Sequence, residues 1–369
     1  MKNIAFIFGT RPEVIKLAPV ILELKRHPND YNVIICNTEQ QKELSNQTLK
    51  YFDLKADINL DCMKENQSLA QIQTSILEKL NVVFDEKKID ATIVQGDTMT
   101  VFCGALVSFY HKVPVFHVEA GLRSYNLFEP FPEEAMRQMT SRISDLHFAP
   151  TEINKQALLK EGIDSNKIHV VGNTVIDALF CLSEQTLNAS KEFFDERNIN
   201  VDDNLVLITV HRRENHGERI DKIIEAISFL AKKYNDHMFV IPVHPNPNVK
   251  NKIYNNLSHF SNIRLLEPLD YPNLVYLMKN AKLILTDSGG IQEEAPSFAC
   301  PTLVMRYETE RQEGIQAGVS KLVGADYERI VFESEKILSK KKSDTRLITK
   351  NPYGDGTASL QIEKIIRNY

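Results

Sequence analysis

Three carboxylates occupy positions from which a chain of this pattern can do acid/base chemistry. Asp97 lies in Gln95-Gly96-Asp97-Thr98-Met99-Thr100, Glu119 in His117-Val118-Glu119-Ala120-Gly121-Leu122-Arg123, and Glu133 in Pro130-Phe131-Pro132-Glu133-Glu134, with Arg137 at helical spacing beyond it. Each follows an apolar run or opens a helical one, and in open α/β sheets ligands meet the residues beyond the carboxyl ends of strands. A lone Asp before Thr98 reads equally well as a helix N-cap. Three carboxylates in successive positions read as a set that takes and returns a proton.

Cations gather at other strand ends. The first apolar run closes in Phe8-Gly9-Thr10-Arg11-Pro12-Glu13, with Lys16 one turn into the following helix. This is not the G-x-G-x-x-G dinucleotide fingerprint. It is a one-glycine turn feeding a helix start, suited to a phosphate or else an ordinary charged first turn. Further on, Thr209-Val210-His211-Arg212-Arg213-Glu214-Asn215 and Val243-His244-Pro245-Asn246-Pro247 each close a strand. A His-Arg-Arg cluster calls for an anionic partner, and a diphosphate is one. In Leu285-Thr286-Asp287-Ser288-Gly289-Gly290-Ile291-Gln292-Glu293-Glu294-Ala295, a strand runs into Ser-Gly-Gly and a helix. Backbone N–H groups there can approach a diphosphate without Cβ interference, with Glu293 or Glu294 left to accept from ribose hydroxyls. The alternative is a Gly-Gly that only shortens a turn.

The elements behind these motifs alternate short β-branched runs with amphipathic stretches, the pattern of parallel sheets covered by helices. Strands are expected at Asn3–Phe8, Tyr31–Cys36, Ala91–Val94, Val113–Val118, Leu146–Ala149 and Ile168–Val171, then at Leu205–Val210, Met238–Pro242, Ile263–Leu266, Leu283–Thr286, Thr302–Met305 and Lys321–Val323. A helix is expected over about Pro12–Lys25, with Pro in its first turn. At 369 residues the chain is long for one domain. The expected fold class is α/β: two doubly wound Rossmann-like domains facing a central cleft, residues 1–187 carrying the carboxylates and 188–355 the diphosphate site. The polar stretch Asn188–Asn204 reads as a surface connection, with a helix at Lys191–Arg197 as the alternative. The helical-looking end, 356–369, packs on one domain or the other.

A net charge of −5 argues against nucleic acid as a partner. The apolar start Met1–Phe8 is too short for a signal or membrane segment, so no membrane partner and a cytoplasmic location are expected. The five cysteines are scattered singly, without metal-ligand spacing, and read as reduced thiols with no metal site.

Taken together, these motifs resemble the non-hydrolysing UDP-N-acetylglucosamine 2-epimerases. The resemblance runs from Gly9-Thr10-Arg11-Pro12-Glu13 through the QGDT, HVEAGLR, PFPEE, HRREN, DSGGIQEEAP and TER elements to Asn351-Pro352-Tyr353-Gly354-Asp355-Gly356. It implies a two-domain fold like the GT-B glycosyltransferases, a homodimer, and interconversion of UDP-GlcNAc and UDP-ManNAc for cell-surface polysaccharide synthesis. It also implies roles: Asp97, Glu119 and Glu133 as acid/base carboxylates, His211 as an essential residue near the diphosphate, and Arg11, Lys16, Arg137 and Arg311 as substrate contacts. Ser288, Gly289, Gly290 and Glu294 would hold diphosphate and ribose, with His244 beside them.

Carbon 2 of the sugar has no neighbouring carbonyl, so inversion there needs transient oxidation or loss of the anomeric leaving group. With no dinucleotide fingerprint, no cofactor is expected, and elimination of UDP to 2-acetamidoglucal followed by re-addition is the favoured route. Competing readings are an epimerase for another UDP-2-acetamido sugar, a hydrolysing epimerase, a GT-B glycosyltransferase and a nucleotide-sugar sensor. The family resemblance further implies a second, activating UDP-GlcNAc site, built partly from Gln-His-Arg after the second strand and an Arg before the next helix. Here Gln40-Gln41-Lys42, followed by Glu43, and Asn66 stand in those places, so activation is expected to be weakened, altered or absent.

Overall fold

Every strand runs parallel to its neighbours, in two separate sheets. The computed structural model describes residues 1–64, 66–346 and 350–369, apart from the Arg213 side chain. Met1–Cys181 with Tyr353–Tyr369 form one compact unit and Leu182–Pro352 the other. In the first unit, β1 (Lys2–Phe8), β2 (Tyr31–Asn37), β3 (Ile58–Asn59), β4 (Ala91–Gln95), β5 (Val115–Val118), β6 (Leu146–Ala149) and β7 (Ile168–Val170) lie in the order β3-β2-β1-β4-β5-β6-β7. In the second, β8 (Leu205–Thr209), β9 (Met238–Pro242), β10 (Ile263–Leu266), β11 (Leu283–Thr286), β12 (Thr302–Val304) and β13 (Ser320–Leu322) lie in the order β10-β9-β8-β11-β12-β13. Both sheets therefore reverse direction at their first strand, between β1 and β4 and between β8 and β11, and each reversal opens a crevice at the strand carboxyl ends.

The strands are apolar because helices cover both faces; β4 and β8 are buried along their whole lengths. Phe6, Phe8, Phe116 and Phe148 are fully buried in the first unit and Phe239 in the second. Each such side chain contributes roughly 2–3 kcal/mol of transfer free energy. The first crossover helix, Arg11–Lys25, starts where it does because Thr10 is extended, Pro12 is in the first turn and Glu13 turns back on the N-cap N–H.

The unit boundary falls at 181/182 rather than at 187/188. The polar stretch expected to connect the domains starts inside a helix, Glu184–Asp195, capped by Ser183, whose hydroxyl accepts from Thr186 N at 3.1 Å. The C-terminal helix, Ala358–Asn368, packs on the first unit through Ile362 and Ile366. Asp177 accepts from the Ser359 N–H at 2.8 Å and its hydroxyl at 2.6 Å, and Tyr31 donates to Glu363 at 3.1 Å.

Candidate active site

At the first reversal, the turn after β1 meets the turns after β4 and β5. Gly9 is glycine because there is no room for more: a Cβ would lie 2.8 Å from Thr100 Oγ1 and 3.0 Å from Gln40 Cβ. Past β5, Glu119 adopts φ 62°, a left-handed backbone that an ordinary residue adopts only when its surroundings impose it. Its carboxylate accepts from Lys16 Nζ and Gln95 Nε2. Asp97 pairs with the buried guanidinium of Arg137, which also reaches Glu134 at 3.3 Å.

Glu134, the neighbour of Glu133, is fully buried and accepts from the N–H groups of Ser124 at 2.9 Å and Tyr125 at 3.1 Å. Burial alone would raise its carboxyl, but the Ser124 N–H, the Gln138 amide and Arg137 hold it below the usual range. It is a brace for Arg137 and for the loop leading to Glu133. Glu133 opens the helix Glu133–Ile143 half-exposed, and among the described residues its carboxylate forms no ion pair. The structure thus joins Asp97, Glu119, Lys16 and Arg137 in one cluster at neighbouring strand ends, with Glu133 one turn ahead of Arg137. Arg11 is half-buried at the helix start, and its N–H donates to Gln41 at 3.1 Å.

The second reversal is organised by one buried carboxylate. Asp287, just past β11, is fully buried and accepts from His211 N at 3.1 Å, Arg212 N at 2.9 Å and Asn215 Nδ2 at 3.0 Å; His211 Nδ1 lies 3.1 Å from its Oδ1. Burial opposes its charge, yet His211, the Arg212 N–H and Asn215 keep its carboxyl below the ordinary range. The loop after β8 is therefore shaped around Asp287, and the His211 ring is oriented by it. His244 stacks near His211 with ring centres 6.0 Å apart, and burial followed by His211 lowers its pKa. The Arg213 side chain, part of the sequence-derived cluster, lies outside the described residues.

A Cβ on Gly289 would lie 3.1 Å from Arg311 Cζ and 3.3 Å from Arg212 Nη2, so two guanidiniums close on the Ser288-Gly289-Gly290 backbone. Arg311 is braced by Glu293 at 2.8 Å and Glu310 at 3.5 Å. Glu293 thus serves as a brace for Arg311, while Glu294, also buried, places its Oε1 3.7 Å from the Cβ position of Gly290. Backbone N–H groups beside two guanidiniums, that of Arg311 braced by carboxylates, make an anion-binding arrangement.

In the segment expected to carry the altered second site, Gln40 accepts from Thr100 Oγ1 at 2.9 Å and Gln41 from Arg11 N, so both lean on the first reversal. Glu43 and Asn66 are exposed, and Lys42 pairs with Asp61 at 2.8 Å. Among the described residues no group of three or more His, Cys, Asp or Glu could hold a metal ion, and no helix is long and apolar enough to cross a membrane.

Two Rossmann-like α/β domains, one with a carboxylate cluster and one with a cationic glycine turn at the sheet reversal, define a protein of the nucleotide-binding doubly wound class. Residues 22–367 match the UDP-N-acetylglucosamine 2-epimerase family. The chain is 47% identical over 367 residues to the UDP-N-acetylglucosamine 2-epimerase of Neisseria meningitidis serogroup A, covering 98% of each. It superposes on the crystal structure of a Neisseria meningitidis UDP-GlcNAc 2-epimerase bound to UDP-GlcNAc with a TM-score of 0.88, at 46% identity and full coverage of both chains. A kitacinnamycin glycosyltransferase, 10% identical with a TM-score of 0.64 over 99% of this chain and 98% of its own, shares the fold. The chain belongs to the UDP-N-acetylglucosamine 2-epimerase family, and the α/β class of two doubly wound Rossmann-like domains expected from sequence is the one observed.

Proposed function

We propose that this chain interconverts UDP-GlcNAc and UDP-ManNAc by eliminating and re-adding UDP. The C1–O bond breaks with its electron pair going to the diphosphate, the C2 proton passes to a carboxylate, and C1 and C2 become doubly bonded in 2-acetamidoglucal. UDP then re-adds through oxygen to C1 while a proton is delivered to the opposite face of C2. Asp97, Glu119 and Glu133 form the acid/base set; Arg11, Lys16 and Arg137 contact the substrate, and Lys16 and Arg137 also hold Glu119 and Asp97 in place. His211, His244, Arg311, Ser288, Gly289, Gly290 and Glu294 hold diphosphate and ribose, and cations there stabilise the departing UDP.

The single observation that carries this reading is the pairing of Asp97 and Glu119 with Arg137 and Lys16 at adjoining strand ends. Each carboxylate is thereby held in place by its cation. No redox cofactor enters the reaction. Incubating the protein with UDP-GlcNAc in deuterated water, without added cofactor, and following carbon 2 by NMR is the test. Conversion with deuterium at C2 is expected. Retained protium with dependence on nicotinamide would overturn the mechanism, and release of free ManNAc would make the enzyme a hydrolysing one.

Activation by a second UDP-GlcNAc is weakened, altered or absent, because Gln40 and Gln41 are engaged with Thr100 and Arg11, and Lys42 with Asp61. A sigmoidal rate curve for UDP-ManNAc that trace UDP-GlcNAc makes hyperbolic would refute this. The protein acts as a homodimer in the cytoplasm and supplies polysaccharide synthesis. Exposed Val82, Phe109 and Tyr110 support an apolar contact between copies, and unpaired cysteines suit a reducing compartment. Sedimentation at the mass of one chain would remove the dimer.

A further inference from the structure

We propose that His117 and Glu13 are positioning residues that clamp, from opposite sides, the turn Gly96–Thr98 on which Asp97 is carried. The proposal rests on the reading of Asp97 as part of the acid/base set. Both side chains are almost wholly buried, at 1% and 2% exposure, so their influence on a ligand passes through what they hold.

On one side, Gly96 has φ +85° and its carbonyl accepts from His117 Nε2 at 2.7 Å. A carbonyl can only accept, so Nε2 carries the proton and Nδ1 is bare; Nδ1 is indeed a buried atom without a partner. Burial, then the nearby guanidiniums of Arg123 and Arg137, keep the ring neutral, with its pKa near 4. His147 lies opposite it in register on β6. On the other side, Thr98 donates its hydroxyl to Glu13 Oε1. The second oxygen of Glu13 accepts from Gly9 N at 2.7 Å and Thr10 N at 2.8 Å. Glu13 therefore couples the turn before Arg11 to the turn bearing Asp97, and the residues immediately before and after Asp97 are each fixed to a buried group.

The geometry separates donor loss from cavity loss. Gln at 117 can place its Nε2 near the imidazole Nε2, whereas Asn reaches only the Nδ1 position and cannot span to Gly96. At 13, Gln keeps an oxygen for the two N–H groups and an amide to donate to the Thr98 hydroxyl; Leu keeps neither.

The test measures kcat and KM for UDP-GlcNAc epimerisation, with the melting midpoint, in full-length His117→Phe, His117→Asn, His117→Gln, Glu13→Gln and Glu13→Leu. A misplaced reacting group costs on the order of 10²-fold. Phe and Asn at 117 and Leu at 13 are therefore expected to lower kcat by ~30–100-fold with KM within about threefold, and both Gln variants to recover to within ~5-fold of the parent. If the Phe or Leu variant does not fold, the Gln–Asn comparison at 117 still decides: equal activity of the two overturns the clamp, as does a rise in KM with kcat intact. Asp97→Asn is measured alongside, alone and with His117→Gln and His117→Asn. A fully active Asp97→Asn sinks the reading of Asp97 itself, whatever the clamp does. A His117→Asn loss that persists undiminished in the Asp97→Asn background sinks the clamp alone.

Discussion

Asp97 and Asp287 follow the strands that first cross each sheet reversal, β4 and β11, yet their surroundings differ in kind. Asp97 retains 26% exposure of its side chain and is charge-paired with Arg137. Asp287 is fully buried and spends its lone pairs on the backbone of His211 and Arg212 and on Asn215. In the first unit, cations from helices attend the part-exposed carboxylates Asp97 and Glu119. In the second, carboxylates are the attendants: Asp287 shapes the His211 loop, while Glu293 and Glu310 brace Arg311. The same α/β architecture thus presents cation-paired carboxylates at one reversal and guanidiniums around a glycine turn at the other, and the burial of an Asp after a strand tells which.

That contrast can be broken most sharply at Asp97. Asp97→Asn is expected to reduce kcat by ~10³-fold, with UDP affinity by calorimetry unchanged and little effect on the melting midpoint. Asp287→Asn should do the reverse. Losing the charge under two backbone N–H groups and His211 is expected to cost about 1.5–3 kcal/mol of stability in urea unfolding and to weaken UDP binding. A destabilised Asp97→Asn, or an Asp287→Asn that loses only kcat, would erase the difference between the reversals.

A smaller effect lies in pH. Burial, then His117, Lys167 and Arg123, hold His147 down at about 3. A histidine depressed in this way from about 6.5 costs nothing above that value and destabilises the fold as pH falls below it. Between pH 6.5 and pH 5 the expected loss is about 1.6 kcal/mol, removed by His147→Phe. Glu13, raised by burial to about 6, acts oppositely: its contribution is present below 4.5 and is lost as pH rises through about 6. An unchanged acid slope in His147→Phe would place the sensitivity elsewhere.

The strands were legible because apolar β-branched runs bounded by Gly, Asp and Asn have few alternatives; β6, β9, β10 and β11 have the expected ends. The two-residue β3 was not, since Ile58–Asn59 carries no pattern of its own and pairs only at the sheet edge. The helix Glu184–Asp195 was half-hidden because it buries only Ser190 and Phe194, too little to mark a face. At the candidate sites, motif spacing singled out Asp97, Glu119, Glu133 and His211 as functional candidates. The braces Gln95, Glu134 and Asp287 sit in or beside the same motifs, but their work depends on which backbone N–H groups and side chains folding brings within hydrogen-bond reach. Sequence spacing does not encode that.

The return of Ala358–Asn368 to the first unit has a temporal consequence. Because Tyr353–Tyr369 belongs with Met1–Cys181, the amino-terminal unit cannot be finished on the ribosome until residues 353–369 have emerged, whereas Leu182–Pro352 is continuous and can close sooner. The unit that carries Asp97, Glu119 and Glu133 is in this way completed after the other, and a nascent chain stopped before Ala358 leaves the Arg11–Lys25 helix without that neighbour.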